Sequence, residues 1–506
     1  MLSKKVKVTR KIIIDDYNRF VSVAERLTHD KNYNEALVFI ESCARIAYNY
    51  NIIYFDKKLE KCLKSISESV LPNQEFDGVP ERYVFYDYFG NTKVLTQQYL
   101  RALMAWGVEF MYIHEGSEPF SEVLKSEIAD YGLAKIVQLK AANSIEKMNE
   151  AKTYITNYKP SKAFIHTAPW DVMGICLWNS ITQVDRYMIN LTDHAFWLGK
   201  NAFDYVLEFR SYGYNLSYQA REITKAKLLL QPYYPIQNDM PFEGFPINIE
   251  GKVVGFSGSS FYKIYGRNGK FLKLIKRMLD ENSDFVFFLA GWGIDEPIRE
   301  FIKLNNFEDR FIILGERKDI DQVFKHIDLF INTYPFIGGL MTQLAVVNKK
   351  AIISYTSDDL TFNFVEDFLP IDKQVAGSIK DEEVFIKEAG LLIRNVNYRS
   401  QNVNSYSKSV PSVDEFNNLL FTNCHSHPSY NSIQSIEINY DAIADLYLEV
   451  DNDYLHLYQK LKLVNLGYLY FKYLPLSAFK CATLILLTDF KTVRKNVKSY
   501  LRARIG

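Results

Sequence analysis

The sequence DLFINTYPFIGGLMTQLAVVNKKAIISY, residues 328–355, carries the pattern that decides the fold. Its apolar run at 329–331 is short and uninterrupted, as in a parallel strand that is buried on both faces. A proline and a glycine pair then break the pattern, and a helix over 340–347 and a strand at 351–353 follow. The stretch therefore predicts a strand, a glycine loop, a helix and a second strand.

The glycine pair Gly338–Gly339 stands where this predicted helix begins. The first turn of a helix presents backbone N–H groups without partners and the positive end of the helix dipole, and both favour a phosphate or diphosphate. A tight turn without a ligand explains the pair equally well, because a lone glycine pair is a weak motif.

Length and composition limit the classes of protein that need considering. A chain of 506 residues is long enough for two or three domains, each with its own core. Lys+Arg and Asp+Glu are both 60, so the global charge gives no indication of nucleic acid binding. The five cysteines are scattered without a CxxC pair, which favours a reducing cytoplasm and argues against structural zinc.

The two ends of the chain bear on localisation. Asp15 and Asp16 interrupt the apolar run at 12–14, so no signal peptide is predicted, and no stretch reaches the ~18 apolar residues of a membrane span. We therefore expect a cytoplasmic protein. The tail 491–506 holds six basic residues and no acidic one. It is interpreted either as a peripheral contact with an anionic membrane at the inner face or as a solvated helix packed on the body.

The chain divides into four segments by pattern. Residues 1–80 have helical spacing and predict a helical extension, in which 32–51 faintly resemble one tetratricopeptide-like helix pair. Residues 81–235 and 247–440 alternate strands with helices, which is typical of parallel sheets covered on both faces. Prolines between 231 and 246 indicate a linker, and 441–506 predict a basic helical tail. The predicted fold class is α/β, with two Rossmann-like domains facing a cleft and helical extensions at both ends.

Two further predictions concern the region before the tail. The polar run 400–411 is predicted to be a loop. His425 and His427 are two residues apart and could chelate a metal ion, but no third ligand lies near in sequence, so no metal site is predicted.

The two alternating halves together resemble the catalytic region of O-linked N-acetylglucosaminyl transferases and their bacterial relatives, which have the two-domain GT-B fold. FSGSSFYKI (256–264) is similar to the strand-end segment whose lysine contacts the donor diphosphate, and Lys263 falls at that lysine. DRFIILGE (309–316) and the 328–353 stretch follow in the family's order. YVFYDYFGN (83–91) and AFWLG (195–199) are similar to its first strand-loop and a later cleft loop. The resemblance spans roughly residues 83–356, about half of the chain.

The chain departs from the family pattern at several site positions. Thr92 stands where the family has a histidine, and Gly338, Gly339 and Leu340 stand where it has a histidine and threonines. Gln343 replaces the acidic residue that holds the donor ribose, although an amide can still hydrogen-bond a hydroxyl. These changes leave open the donor sugar and whether the site is catalytic.

The resemblance implies a donor site in the second domain. Lys263 would place a positive charge at the leaving diphosphate, and backbone N–H groups at 339–342 would add dipoles. Without the resemblance, Lys263 is interpreted as a surface lysine. The predicted donor-binding residues are Lys263, Ser259, Gly338, Gly339, Leu340, Met341, Thr342, Gln343, Gly90 and Asn91.

Acceptor activation requires a carboxylate or histidine, which the resemblance places in the first domain. The candidates are Asp87, His166, Asp171, Asp193 and His194. His194 is the first choice, together with Asp193, because the pair directly precedes AFWLG. His166 is the second choice, because it follows an apolar strand run. A purely structural role for His194 is the alternative.

The absence of acidic residues bears on the reaction type. No Asp or Glu lies between Leu329 and Ser357, whereas many retaining transferases of this fold carry paired glutamates there. The absence favours an inverting single displacement. No Asp-x-Asp motif is present to hold a metal, so we expect metal independence and no cofactor beyond the nucleotide-sugar co-substrate.

The sequence therefore predicts an inverting glycosyltransferase of hexosyltransferase type. Its donor is expected to be UDP-linked, with N-acetylglucosamine as one candidate sugar, and its acceptor a protein side chain or a surface glycan. The alternative is a non-catalytic GT-B subunit that binds or stabilises another glycosyltransferase, which Thr92 and Gln343 favour. A sugar-nucleotide epimerase fits less well, because nothing in the sequence resembles the epimerase acid/base set.

Overall fold

The computed structural model describes residues 7–72, 74–90, 94–115, 122–369, 377–430, 433–450 and 455–488. The predictions for Asn91 and Thr92, and for the tail 491–506, lie outside these ranges. Within the described ranges, no helix is both long enough and apolar enough to cross a membrane.

The first domain is a seven-stranded parallel sheet with strand order β3-β2-β1-β4-β5-β6-β7. Its strands are β1 Val79–Asp87, β2 Glu109–His114, β3 Ala134–Gln138, β4 Pro160–His166, β5 Asp185–Asn190, β6 Tyr205–Glu208 and β7 Leu228–Leu230. Its helices are α4 Val94–Ala105, α5 Glu122–Tyr131, α6 Ser144–Tyr158, α7 Val172–Asn179 and α8 Ser211–Gln219.

The second domain is a six-stranded parallel sheet with strand order β10-β9-β8-β11-β12-β13. Its strands are β8 Val253–Gly258, β9 Phe285–Ala290, β10 Phe311–Gly315, β11 Leu329–Ile331, β12 Ala351–Tyr355 and β13 Ser378–Ile379. Its helices are α9 Lys270–Glu281, α10 Glu296–Leu304, α11 Ile320–Lys325, α12 Gly339–Val347, α13 Glu382–Arg394, α14 Val396–Tyr406 and α15 Val413–Ser426.

Both sheets reverse their strand order next to their first strand. The reversal lies between β1 and β4 in the first domain and between β8 and β11 in the second. Ligands in open parallel sheets bind at the carboxyl ends of the strands beside such a reversal. Lys263 follows β8 and the glycine pair follows β11, so both lie at this position in the second domain. The predicted α/β class with two Rossmann-like domains is confirmed.

The loop predicted for the polar run 400–411 is wrong for 400–406, which belong to α14, whereas 407–411 lie outside any helix or strand. The buried Asn402 side chain explains the difference. Its amide nitrogen donates to the carbonyl of Ile352 (3.1 Å), and its amide oxygen accepts from the N–H of Ile352 (2.8 Å). This contact with β12 holds a weakly apolar segment in a helix, which overrides its local propensity.

The helical extensions pack on each other. The N-terminal helices are α1 Arg10–His29, α2 Tyr33–Tyr50 and α3 Lys57–Val70, and the C-terminal ones are α16 Tyr440–Val450, α17 Leu455–Leu466, α18 Tyr468–Tyr473 and α19 Pro475–Thr488. The segment that resembles a helix pair is therefore the single helix α2. Phe20 of α1 meets Tyr470 of α18 edge to face at 5.7 Å. Lys462 of α17 forms an ion pair with Asp16 of α1, and its side chain is 2% exposed.

Asp16→Ala tests whether this ion pair joins the two ends. The variant leaves the Lys462 ammonium buried without a carboxylate, which costs about 3–5 kcal/mol of unfolding free energy. Denaturant titration measures the loss. The exposed pair Lys276–Asp280 is the control, because Asp280→Ala should cost about 0.5 kcal/mol or less. Equal losses in the two variants would contradict the buried pairing.

Candidate functional site in the interdomain cleft

A cavity of about 240 Å³ lies between the two domains. Parallel-sheet domains place such clefts at the carboxyl ends of their strands, where ligands bind. Its walls come from the first domain, the linker, the second domain and α16. They are formed by Leu191, Asp193, His194, Phe209, Arg210, Tyr233, Tyr262, Lys263, Phe336, Ile337, Gly339, Leu340, Phe362, Phe368 and Tyr447. Five of the residues singled out in the sequence thus meet in one cavity: Asp193, His194, Lys263, Gly339 and Leu340.

Lys263 lies in a 3-10 helix, Phe261–Ile264, directly after β8. Its side chain is partly buried, and its ammonium has no hydrogen bond or ion pair within the described part of the chain. Burial lowers the pKa of Lys263, because a low dielectric disfavours the charged form. A cation that lines a cavity without an anionic partner favours binding of an anion there.

Asp193 and His194 face Lys263 from the first domain, after β5. The Asp193 carboxylate is buried, and its Oδ1 lies 3.4 Å from the Nδ1 atom of His194. Burial raises the pKa of Asp193, but the charge and hydrogen bond of Arg210 and the neighbouring His194 together outweigh burial and hold the pKa well below its usual value. The His194 ring is about one-third exposed and stacks on Tyr447 of α16, with centroids 6.2 Å apart.

Arg210 is a site residue that sequence reasoning missed. It follows β6, and its side chain is 4% exposed. Its Nε atom donates to Asp193, its Nη1 atom donates to the carbonyl of Phe362 (2.7 Å), and its guanidinium carbon lies 4.2 Å from the centre of the Phe368 ring. In the sequence, Arg210 follows a predicted strand directly, and this position at the carboxyl end of a strand could have indicated a site residue. Tyr447 gave no comparable signal, because α16 follows both sheets in the sequence.

The start of α12 is covered by the chain's own aromatic side chains. A Cβ atom on Gly339 would lie 2.4 Å from the Phe368 ring and 2.8 Å from the Tyr233 hydroxyl. Gly339 is therefore required by the close packing of Phe368 and Tyr233 at the start of α12. Gln343, one turn further, donates to the carbonyl of Tyr233 (3.0 Å), and its Oε1 atom is buried without a partner among the described residues.

The remaining predicted donor residues do not line this cavity. Thr342 donates its hydroxyl hydrogen within its own loop, with Asn332 Oδ1 at 2.8 Å and the Gly338 carbonyl at 2.9 Å. Met341 packs over Gly258 at the end of β8. The Ser259 hydroxyl is buried and has no hydrogen-bond partner in the described ranges. Gly90 adopts a positive φ of 63° at the end of the described segment 74–90.

His166 lies in the first domain at the strand-order reversal, away from the lining of the cavity. Its Nδ1 atom is 2.9 Å from Asp87 Oδ1, and its side chain is 6% exposed. Burial raises the pKa of Asp87, but His166, the Tyr112 hydroxyl and the Phe89 N–H together outweigh burial and lower the pKa. Asp171 caps α7 by accepting from the Gly174 N–H (2.7 Å). Asp87, His166 and Asp171, three of the five candidates for the base, therefore have structural partners.

The His425 and His427 side chains are each engaged by protein groups. His425 Nδ1 lies 2.8 Å from the Phe421 carbonyl, and His427 Nε2 lies 2.7 Å from the Tyr187 hydroxyl. The His427 ring also stacks on Tyr205 at 4.0 Å. No group of three or more His, Cys, Asp or Glu side chains suited to a metal ion occurs in the part of the chain that the structure describes.

No family model matches the sequence, and no curated protein matches it. Among solved structures, the chain is similar to HepE from Anabaena in its complex with UDP and glucose, with a TM-score of 0.50 and 11% identity over 68% of this chain and 99% of HepE. The HepE complex with UDP gives a TM-score of 0.50 at 10% identity, over 68% of this chain and 100% of HepE. The O-GlcNAc transferase of Thermobaculum terrenum matches with a TM-score of 0.49 and 11% identity over 85% of both chains.

Similarity at this level of identity establishes the fold. The chain has the GT-B architecture of two Rossmann-like domains with a cleft between them, as the sequence resemblance predicted.

Substitution of the glycine pair tests the packing over α12. Gly339→Ala forces the Phe368 ring to move and should cost about 1–3 kcal/mol of unfolding free energy. Gly338→Ala is the control, because its added Cβ meets nothing closer than 3.5 Å and should cost about 1 kcal/mol or less. Thermal or denaturant unfolding measures both. Similar values for the two variants would show that Phe368 does not pack on Gly339.

Proposed function

We propose that the protein is a metal-independent glycosyltransferase that moves a sugar from a nucleoside diphosphate sugar to an acceptor hydroxyl. The observation that carries the proposal is the composition of the interdomain cavity. Lys263 of the second domain, which has no partner among the described residues, and a carboxylate–histidine pair of the first domain line the same 240 Å³ space. The fold adds support, because HepE, which shares it, is crystallised with UDP, UDP-glucose and glucose.

The charges fit a single displacement. The bond between the sugar's anomeric carbon and the diphosphate oxygen breaks, and a bond to the acceptor oxygen forms on the opposite face. Lys263 stabilises the negative charge that develops on the departing diphosphate. The Asp193 carboxylate, whose Oδ1 lies 3.4 Å from Nδ1 of His194, favours the proton on Nδ1, which leaves Nε2 to take the acceptor proton. The sugar inverts because only one displacement occurs.

The finer assignments rest on the sequence resemblance. We assign a UDP-linked donor, with N-acetylglucosamine as a candidate sugar, and a protein or surface-glycan acceptor. The cytoplasmic location rests instead on the scattered cysteines and the interrupted apolar run at the N-terminus. The six basic residues of 491–506 suit a peripheral contact with an anionic membrane and a solvated helix equally well.

A second candidate function is a non-catalytic GT-B subunit of another glycosyltransferase. The contact between Gln343 and the Tyr233 carbonyl favours it, because the side chain that would hold a donor hydroxyl is occupied by the linker. Phe368 packed on Gly339 supports the same interpretation. In such a subunit the cleft would stay closed, and a nucleotide would not bind.

Lys263→Ala tests the diphosphate assignment. Wild type should release nucleotide from one member of a panel of UDP-, GDP- and TDP-sugars in buffer with EDTA. The variant should lose more than about tenfold in turnover, or ~1.4 kcal/mol of transition-state stabilisation. Lys273→Ala, an exposed lysine of the same domain, should retain activity. Absence of turnover together with no nucleotide-induced rise in melting temperature would select the non-catalytic subunit.

His194→Ala tests the choice of base. Loss of a general base lowers the transfer rate by about 10²–10⁴-fold, with the melting temperature and UDP affinity nearly unchanged. His166→Ala should instead lower the melting temperature, because it leaves the buried Asp87 carboxylate without its imidazole partner. A stable His166→Ala variant that is inactive, alongside an active His194→Ala variant, would reverse the assignment.

A further inference from the structure

The second domain caps a helix of the first domain. The Asp367 carboxylate accepts hydrogen bonds from the backbone N–H groups of Ser211 (2.9 Å) and Tyr212 (2.8 Å), at the start of α8. A helix usually obtains this cap from the side chain that precedes it. Here the preceding residue is Arg210, which has no side-chain oxygen, so a carboxylate from the other domain supplies the cap.

Arg210 makes the reverse connection, from the first domain to the second. Its guanidinium donates to the Phe362 carbonyl (2.7 Å) and lies over the Phe368 ring, and its Nε atom is 4.0 Å from Asp367 Oδ2. The same Nε atom donates to Asp193, whose other oxygen faces His194. A continuous series of contacts therefore runs from the second domain through Arg210 and Asp193 to His194.

We propose that Arg210 and Asp367 form an interdomain clamp, which holds the two domains at the separation where His194 faces Lys263. Both are positioning residues. The roles of His194 and Lys263 rest on the proposed function, whereas the clamp itself does not. The Arg210 and Asp367 side chains are only 4% and 9% exposed. Loss of Asp367 leaves the α8 N–H groups without a cap, and loss of Arg210 leaves the buried Asp193 carboxylate without its guanidinium, so either change favours separation of the domains.

A distance measurement tests the clamp without requiring activity. Ser126→Cys in the first domain and Ser283→Cys in the second place spin labels at exposed positions, and the five native cysteines are buried. In this background, Asp367→Ala should lengthen and broaden the interdomain distance distribution relative to the parent. Glu366→Ala is the matched control, because among the described residues its carboxylate bonds to Ser378 of the same domain and to no group of the first domain. Coinciding distributions for Asp367→Ala and the parent would overturn the clamp.

Kinetics tests whether the clamp positions the reacting groups. UDP is held by second-domain groups in the proposed site, so its affinity in Asp367→Ala should stay within about twofold, whereas kcat should fall about tenfold or more. Arg210→Lys keeps the charge but loses the planar fork and should be intermediate in kcat. Equal losses of UDP affinity and kcat would overturn the positioning role.

Two controls keep these outcomes distinct. If Asp367→Ala does not fold, as judged by circular dichroism, Asp367→Asn replaces it, since it keeps one acceptor oxygen and loses the charge. If wild type turns over no sugar, the proposed function fails, and the label distances still decide whether the clamp exists.

Discussion

The two domains meet around one buried guanidinium, that of Arg210. It donates to Asp193 in its own domain and to the Phe362 carbonyl in the other, while Asp367 reaches back to cap α8. A buried charge is tolerated only when its partners are in place, so these contacts define one relative position of the domains. The cavity between them, and the opposition of His194 to Lys263 across it, follow from that position.

Within the same cleft, Lys263 favours binding of an anion, whereas the packing at the start of α12 opposes it. The unpaired ammonium favours an anion, yet Tyr233 and Phe368 cover the first turn of α12, and Gln343 is bonded to the linker. A nucleotide that uses both Lys263 and this helix must displace these aromatic side chains.

The fold could be predicted from the sequence because buried parallel strands leave continuous apolar runs, such as Phe285–Ala290, separated by helices. Lys263 and the glycine pair could be placed at the ends of β8 and β11 for the same reason. The α14 helix could not be predicted, because Asn402 is held by a contact with β12, fifty residues earlier in the sequence. Arg210 and Tyr447 were missed because their roles depend on how the domains and α16 pack, which local patterns do not encode. The contact of Phe368 with Gly339 could not be predicted, because in the sequence the glycine pair fits a phosphate site and a ligand-free turn equally well.

The most direct test of the account is a crystal structure of the protein with UDP. The account predicts that the diphosphate contacts the Lys263 ammonium and the first turn of α12, with Phe368 displaced and the bond from Gln343 to Tyr233 broken. It also predicts that Arg210 retains its contacts with Asp193 and the Phe362 carbonyl. A structure in which saturating UDP leaves the cleft closed and empty, or binds away from Lys263, would contradict the assignment of this cavity as the donor site.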